Sequence, residues 1–279
     1  MKINETENYH YWKQYIESDM VVSSQEMWEL LKNQPQRIIN IPQLKILNGY
    51  LEGVNEGEII TISGLTKNGK TCLAQSITKY LSEAGINCLW FTYEVKEKQF
   101  LDFMSDGVSV PLFYMPQELK SGIDLAWIEN KIKESIIKFK TRVIFIDHLH
   151  YLADMSLRNI TPEIGRIMRW LKHDIAKKYG VTIFLMAHMN KVNDDREPSH
   201  MDIRDSYLIS AESDVVLIIL RLNEENRANL KVEFTRRTGV FQKKIKLIKR
   251  KFFEEVEDEK PKRNNQENRT VFGYSQSDD

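Results

Sequence analysis

Eight consecutive residues, Gly64-Leu65-Thr66-Lys67-Asn68-Gly69-Lys70-Thr71, have the types and spacing to hold a chain of phosphates. They fit GxxxxGK[ST], in which two glycines let the backbone turn tightly so that successive N–H groups face one anion, and the following helix adds its positive end. In that frame Lys70 reaches the β- and γ-phosphates, Thr71 sets its hydroxyl on Mg²⁺, and Cys72 completes the phosphate-contacting run. The plain alternative is a Gly-rich turn between a strand and a helix. A second feature lies downstream, where the apolar run Arg142-Val143-Ile144-Phe145-Ile146 ends in Asp147. A buried strand of a parallel sheet delivers such a carboxylate to the sheet's carboxyl edge, where ligands bind in open α/β folds, and there Asp147 can hold the Mg²⁺ shell. Alone it would be an ordinary residue after a strand; behind a phosphate loop it reads as a metal ligand. ATP and Mg²⁺ are therefore the expected cofactors.

The elements that must position these residues alternate along the chain. Residues 59–63 read as a strand and 72–83 as a helix, then 88–92 as a strand and 97–104 as a helix. Pro111 and Pro116 bracket a short apolar segment, and 125–139 has helical spacing through Trp127, Ile128, Ile132, Ile136 and Ile137. Residues 162–179 form a helix with Ile164, Ile167, Met168, Leu171 and Ile175 on its buried face, followed by a strand over 181–187. Alternation of this kind marks an α/β fold with a mostly parallel sheet covered by helices. A charged stretch over 189–205 is long enough to be functional or mobile. Strands follow over 215–221, 230–235 and 243–248, the last crowded by Lys243, Lys244, Lys246, Lys249, Arg250 and Lys251. That crowding suits a lysine-protected edge strand as well as a phosphate-contacting patch.

Ahead of this core, residues 4–20 carry a weakly periodic aromatic cluster, and Ser23 or Ser24 can cap a helix with Met27, Trp28, Leu30 and Leu31 as its apolar stripe. That helix either packs on its own domain or docks into a neighbouring subunit. Glycines 49, 53 and 57 mark turns into the first core strand. The expected organisation is a helical or linker segment over 1–43, the nucleotide domain over 44–253, and a charged, disordered tail over 254–279.

Composition narrows the classes further. The 279 residues are 42% hydrophobic, enough for one sizeable core. No apolar run reaches the ~20 residues of a bilayer span, and the polar N-terminus lacks a secretion signal, which predicts a cytoplasmic protein without a membrane partner. Cys72 and Cys88 form no CxxC pair, so neither a zinc pattern nor a disulfide framework is present and both thiols should be reduced and packed. Lys plus Arg and Asp plus Glu both number 40, so any nucleic-acid surface must be a local patch.

Across about 44–250 the order of motifs resembles the RecA-like ATPase domain of DnaB-type and Twinkle-like ring helicases. The likeness rests on Gly64 to Thr71, on Phe91-Thr92-Tyr93-Glu94-Val95, on Ile144-Phe145-Ile146-Asp147-His148-Leu149-His150, and on Leu185-Met186-Ala187-His188-Met189-Asn190-Lys191. Its most discriminating part is Asp202-Ile203-Arg204-Asp205-Ser206, followed by Ser213-Asp214-Val215-Val216-Leu217. The resemblance implies a catalytic role for Lys70 and Asp147 with Glu94 as the base that orients the attacking water. It implies that His188, which would otherwise be a core histidine, senses the γ-phosphate. Asn190, Lys191, Arg204, Asp205 and Ser206, with Arg196 nearby, would contact the backbone of single-stranded DNA. A finger acting in trans would be Arg237 or its neighbour Arg236, in a Thr235-Arg236-Arg237-Thr238-Gly239 turn where the family carries Lys before x-Arg.

The resemblance thus implies an ATP-dependent helicase or translocase, hexameric, working with primase or other replication proteins in the cytoplasm or in the replicating compartment of a virus, plasmid or organelle. Two alternatives stay open: a RecA-, RadA- or KaiC-like ATPase that remodels without unwinding, and a nucleotide-switched binding module with little turnover.

Overall fold

The computed structural model describes residues 21–33, 37–120, 124–191, 196–204 and 206–256. It divides into two units, 1–37 and 38–279. In the first, helix α1 (Ser24–Leu31) begins at a capping box: Ser23 Oγ accepts from the Glu26 N–H at 3.2 Å and Glu26 Oε2 accepts from the Ser23 N–H at 2.8 Å. This reciprocal pairing satisfies donors that a helix start otherwise leaves to water. Its stripe of Met27, Trp28, Leu30 and Leu31 is exposed in this chain.

The second unit starts at Ile38, ahead of the expected 44, because Ile39, Ile41 and Leu44 are wholly buried. Strand β1 (Ile38–Ile39) pairs antiparallel with β2 (Val54–Asn55) around helix α2 (Lys45–Leu51). Then follow β3 (Ile59–Gly64), α3 (Lys70–Glu83), β4 (Cys88–Thr92), α4 (Glu97–Met104), α5 (Leu125–Phe139) and β5 (Val143–Asp147). A short 3₁₀ turn (Leu149–Leu152) precedes α6 (Thr161–Arg169), which continues without a break as a π-helical stretch (Trp170–Lys177). The chain closes with β6 (Thr182–His188), a 3₁₀ turn (His200–Asp202), α7 (Ser206–Glu212), β7 (Val215–Arg221), β8 (Arg227–Thr235), β9 (Phe241–Lys249) and β10 (Phe253–Glu255).

Eight strands form one sheet in the order β10-β9-β8-β7-β3-β6-β5-β4. The five from β7 to β4 are parallel, and β8, β9 and β10 extend the sheet antiparallel. Parallel strands buried on both faces read as continuous apolar runs, and alternate residues feed the two cores. Val143, Phe145, Phe184 and Met186 face the layer that holds α2 and α3, whereas Ile144, Ile146, Ile183 and Leu185 face α5 and α6. Across β4, β5 and β6 the rings of Trp90, Phe145 and Phe184 stack at 4.7 and 4.9 Å, tying the edge of the sheet to its centre.

Polar groups lock the other end of the sheet. Asp214 Oδ2 accepts from the Ile59 N–H at 2.7 Å and from Lys172 Nζ at 2.5 Å, while Lys172 also donates to Gly57 O at 2.8 Å. The Ser213-Asp214 pair of the sequence motif is thus a structural clamp at the amino end of β3, with Ser213 Oγ 2.7 Å from Thr61 Oγ1.

Several elements differ from the sequence expectation, the first being Gly49, which was expected to mark a turn and lies inside α2. Helix α7 has no mark in the sequence, because its seven residues follow directly on the charged loop. The helix expected over 162–179 widens into a π-helical stretch, which no hydrophobic period distinguishes. Residues 254 and 255, assigned by composition to the tail, complete β10: Tyr80 OH donates to Phe253 O at 2.7 Å, and the Glu255 carboxylate caps the uncapped start of α2 through Ile46 N–H (2.7 Å) and Leu47 N–H (2.8 Å). A carboxylate there satisfies orphan helix donors and complements the helix dipole. Residues 4–20 and 257–279 lie outside the described residues.

Candidate active site

Strand β3 ends at Gly64, and α3 begins at Lys70, so the phosphate loop spans the carboxyl edge of the sheet. Glycine is required at both ends of it. A Cβ at Gly64 would stand 2.5 Å from Ile219 O, and Gly69 sits at φ +98° with a Cβ position 3.2 Å from the Phe253 ring. Between them Lys67 adopts φ 65° and the Asn68 N–H donates to Leu65 O at 3.2 Å. The amino end of α3 has no side-chain cap, which leaves its first N–H groups for an anion. Lys70 is buried and its Nζ donates to Gly64 O at 3.0 Å and Leu65 O at 3.3 Å. Burial lowers its pKa, with the nearby Glu94 and Asp147 charges opposing the shift.

Asp147 closes β5 with no exposed surface. Thr71 Oγ1 donates to its Oδ2 at 2.7 Å, and its Oδ1 has no hydrogen-bond partner among the described residues. Burial raises its pKa to about 6, against the Thr71 hydrogen bond that lowers it. A hydroxyl and a carboxylate with a spare buried lone pair are the hard oxygen donors that Mg²⁺ takes.

Glu94 reaches the same place because the sheet ladder continues past β4: Thr92 is in register with Asp147, and the Tyr93 N–H donates to Asp147 O at 2.8 Å. Its carboxylate lies 3.4 Å from His148 Nδ1, which holds its pKa below the usual range. Strand β6 lies between β3 and β5, and its last residue, His188, is paired in register with Gly64. The rings of His188 and His148 are 3.9 Å apart. Burial, then the neighbouring His148 and Lys70, push the His188 pKa down to about 4, so it is neutral at pH 7. Lys70, Thr71, Glu94 and His188 line a cleft of about 410 Å³ that also includes Thr66, Cys72, Gln75 and Phe103. The sequence motif gives His148 no role; only the folded register brings it against Glu94.

Beyond His188 the chain enters the charged loop through a short hairpin root. Met189 bridges Ile203, the Asn190 N–H donates to Asp202 O at 2.8 Å, and the Arg204 N–H donates to His188 O at 2.9 Å. Lys191 and Arg204 are exposed. Arg196 is engaged instead, with its guanidinium on Asp202 at 2.7 and 2.5 Å. Asp205 lies outside the described residues, and Ser206 begins α7. His200 Nδ1 and Lys231 Nζ meet the buried Glu233 carboxylate at 2.9 and 2.7 Å, fastening the loop's far side to β8.

Arg237 is at the opposite end of the sheet, in the β8–β9 turn. Its guanidinium donates to Glu58 Oε1 at 3.1 Å and Gly53 O at 2.7 Å, and also to Leu51 O. Arg236 donates to Ala211 O. Neither arginine is among the residues lining this chain's own cleft.

A phosphate loop on the central strand, a strand inserted between it and the carboxylate strand, and helices on both faces define a RecA-like ATPase fold. Residues 104–252 match the family model described as DnaB-like helicase C terminal domain, and the chain belongs to that family. Its fold is shared with a solved ATPase domain (TM-score 0.67, 15% identity, 83% of this chain and 96% of that one). A DnaB-like replicative helicase studied for its interactions with primase superposes with TM-score 0.68 at 16% identity, over 90% of this chain and 71% of that one. Among curated relatives, a probable plasmid replicative DNA helicase of Chlamydia trachomatis is 28% identical over 132 residues, 46% of this chain and 29% of that protein. The replicative DNA helicase DnaB of Helicobacter pylori strain J99 is 22% identical over 206 residues, 63% of this chain and 42% of that protein. The chain therefore spans less than half the length of either curated relative.

Proposed function

We propose that this chain is the motor of an ATP-driven DNA helicase, hydrolysing ATP at subunit interfaces of a homo-hexamer and moving on single-stranded DNA during replication. The observation that carries this reading is the path of β6, which leads from the cleft at His188 into the loop of Asn190 and Lys191 within three residues. In the cleft, Gly64 to Cys72 cradle the phosphates and Lys70 neutralises them. Thr71 and Asp147 would hold Mg²⁺, which when bound spreads the negative charge of the transferred phosphoryl group. Glu94, ionised at neutral pH, accepts the proton of a water aligned with the γ-phosphate. His188, neutral and beside Glu94, donates or accepts a hydrogen bond according to whether a γ-phosphate is present.

The chain contributes Arg237 or Arg236 to a neighbour's cleft in this reading, which fits their distance from its own phosphate loop. Exposed Lys191 and Arg204, with Asn190, Asp205 and Ser206, contact DNA phosphates without reading bases. The apolar stripe of α1 suits packing against a neighbouring subunit in the ring, and the solved relative's association with primase makes primase the first partner to test. Of the described residues, no helix is long and apolar enough to cross a membrane.

The decisive experiment measures ATP hydrolysis with and without single-stranded DNA, alongside unwinding of a forked duplex. Stimulation by DNA and strand separation are expected. Hydrolysis indifferent to DNA, with the fork intact, overturns the motor reading.

A further inference from the structure

The tips of three adjacent parallel strands bring Glu94, His148 and His188 to one point. One ligand-type atom from each lies within 4.8 Å of the others. His148 Nδ1 and Glu94 Oε2 are 3.4 Å apart, which is the edge of a tetrahedron whose metal–ligand bonds are about 2.0–2.1 Å. His148 Nδ1 is buried and has no hydrogen-bond partner among the described residues. The His148 and His188 rings meet at 66°, edge to face rather than stacked. His188 ends the ladder of β6 with β3, His148 directly follows the last paired residue of β5, and Glu94 stands two residues past the last paired residue of β4, so the backbone brings all three to one end of the sheet.

Two imidazoles and one carboxylate do not suit Mg²⁺, which takes oxygen ligands, but they suit the late first-row divalent cations. Three protein ligands with a fourth position open to the cleft is a common Zn²⁺ arrangement. The oxygen pair of Thr71 and Asp147 lies beside this set, so two neighbouring positions differ in ligand softness. We propose that Glu94, His148 and His188 form a binding site for a late first-row divalent cation, Zn²⁺ being the probe of choice, and that its occupation silences hydrolysis. Binding rests on the geometry alone; silencing rests on the role given above to Glu94, whose carboxylate cannot both ligate a metal and accept a proton from water. ATP would stay bound, because the phosphate loop and Lys70 are not ligands of this ion.

The test uses untagged, chelator-treated full-length protein without nucleotide or DNA, titrated with ZnCl₂ by calorimetry and with CoCl₂ by visible absorption. One Zn²⁺ per chain and the intense d–d bands of tetrahedral Co²⁺ are expected. Glu94→Gln and His188→Gln should each weaken Zn²⁺ binding by more than about 100-fold, since even loss of an outer-shell partner costs about 10- to 100-fold. The Glu94 side chain is 40% exposed, so its amide variant keeps the fold, and melting curves verify this for both. Absence of stoichiometric binding, or affinity unchanged in both variants, overturns the site. In a second arm, one equivalent of Zn²⁺ should abolish hydrolysis while a fluorescent ATP analogue remains bound. Zn²⁺ bound with hydrolysis unimpaired overturns the silencing. Neither arm contains DNA, so the outcome is independent of whether the protein proves to be a helicase.

Discussion

Replacing Asp147 by Asn should make the protein more stable while disabling it, and the size of the gain is set by burial. The carboxyl has no exposed surface, and its pKa rises from 3.8 to about 6 because burial penalises the ionised form. A raised carboxyl pKa means that the folded chain binds more protons than the unfolded chain between those two values. Stability is therefore lost as pH climbs through that window, and above it the full penalty applies. A shift of about two units corresponds to about 3 kcal/mol at pH 7.5, and the same arithmetic leaves about half of it at pH 5. Asn can still accept the Thr71 hydroxyl on its carbonyl oxygen, and it carries no charge to desolvate. For a domain of this size, Asp147→Asn should raise Tm by about 6–12 °C at pH 7.5 without nucleotide or divalent ions, and by about half as much at pH 5. Differential scanning calorimetry at the two pH values reads this directly. A variant that melts below the parent at pH 7.5, or a gain equal at both pH values, would refute the electrostatic account of the site. The same variant should lose Mg²⁺-dependent ATP hydrolysis.

Other expectations are equally specific. Glu94→Gln should lower turnover by about 10²- to 10⁴-fold with ATP still bound; near-parental turnover in a steady-state assay removes Glu94 from the mechanism. Substituting Lys191 and Arg204 together by Ala should abolish stimulation by DNA and make the salt dependence of DNA binding shallower by about 1.4 in log–log slope, the share of two phosphate contacts on a single strand. An unchanged slope in fluorescence-anisotropy titrations would direct attention to the basic strand β9. Asp214→Ala strands Lys172, whose side chain is only 10% exposed, so a loss of about 3–5 kcal/mol is expected in denaturant unfolding; a change below about 1 kcal/mol contradicts the clamp. Mixing Arg237→Ala with Glu94→Gln protomers should restore part of the hydrolysis that each lacks alone, and parental hydrolysis by pure Arg237→Ala protein excludes it as the finger.

The parallel half of the sheet was legible because its strands are buried on both faces and so write themselves as apolar runs, three of them ending in a residue of the candidate site: Gly64, Asp147, His188. The phosphate loop was legible because its backbone conformation demands glycine at two fixed positions. What stayed hidden depends on pairing between distant segments. The approach of His148 to Glu94 follows from the register of β4 against β5, which no spacing encodes. Glu255 looked like part of a charged tail because its partners, the first N–H groups of α2, lie about two hundred positions away in the chain. The engagement of Arg196 with Asp202 was equally invisible, since a basic residue in a polar loop gives no sign of whether its charge is already spent.

Strand β6 is hydrogen-bonded on both sides, to β3 from Ile59↔Ile183 to Gly64↔His188 and to β5 from Val143↔Thr182 to Ile146↔Leu185. A strand so flanked cannot act as a piston. Sliding by one residue would turn its whole core-facing set to the wrong side, and the next permitted position is a two-residue step of about 6.6 Å with every ladder bond broken on the way. If His188 senses the γ-phosphate as proposed, its signal would have to leave as a swivel at the strand's end, about the hairpin root where Arg204 N–H meets His188 O and Asn190 N–H meets Asp202 O. The far side of the loop, pinned through His200 and Lys231 to Glu233, supplies the fixed pivot. In that reading Lys191, the residue after Asn190, would move with the hairpin root and not with the sheet.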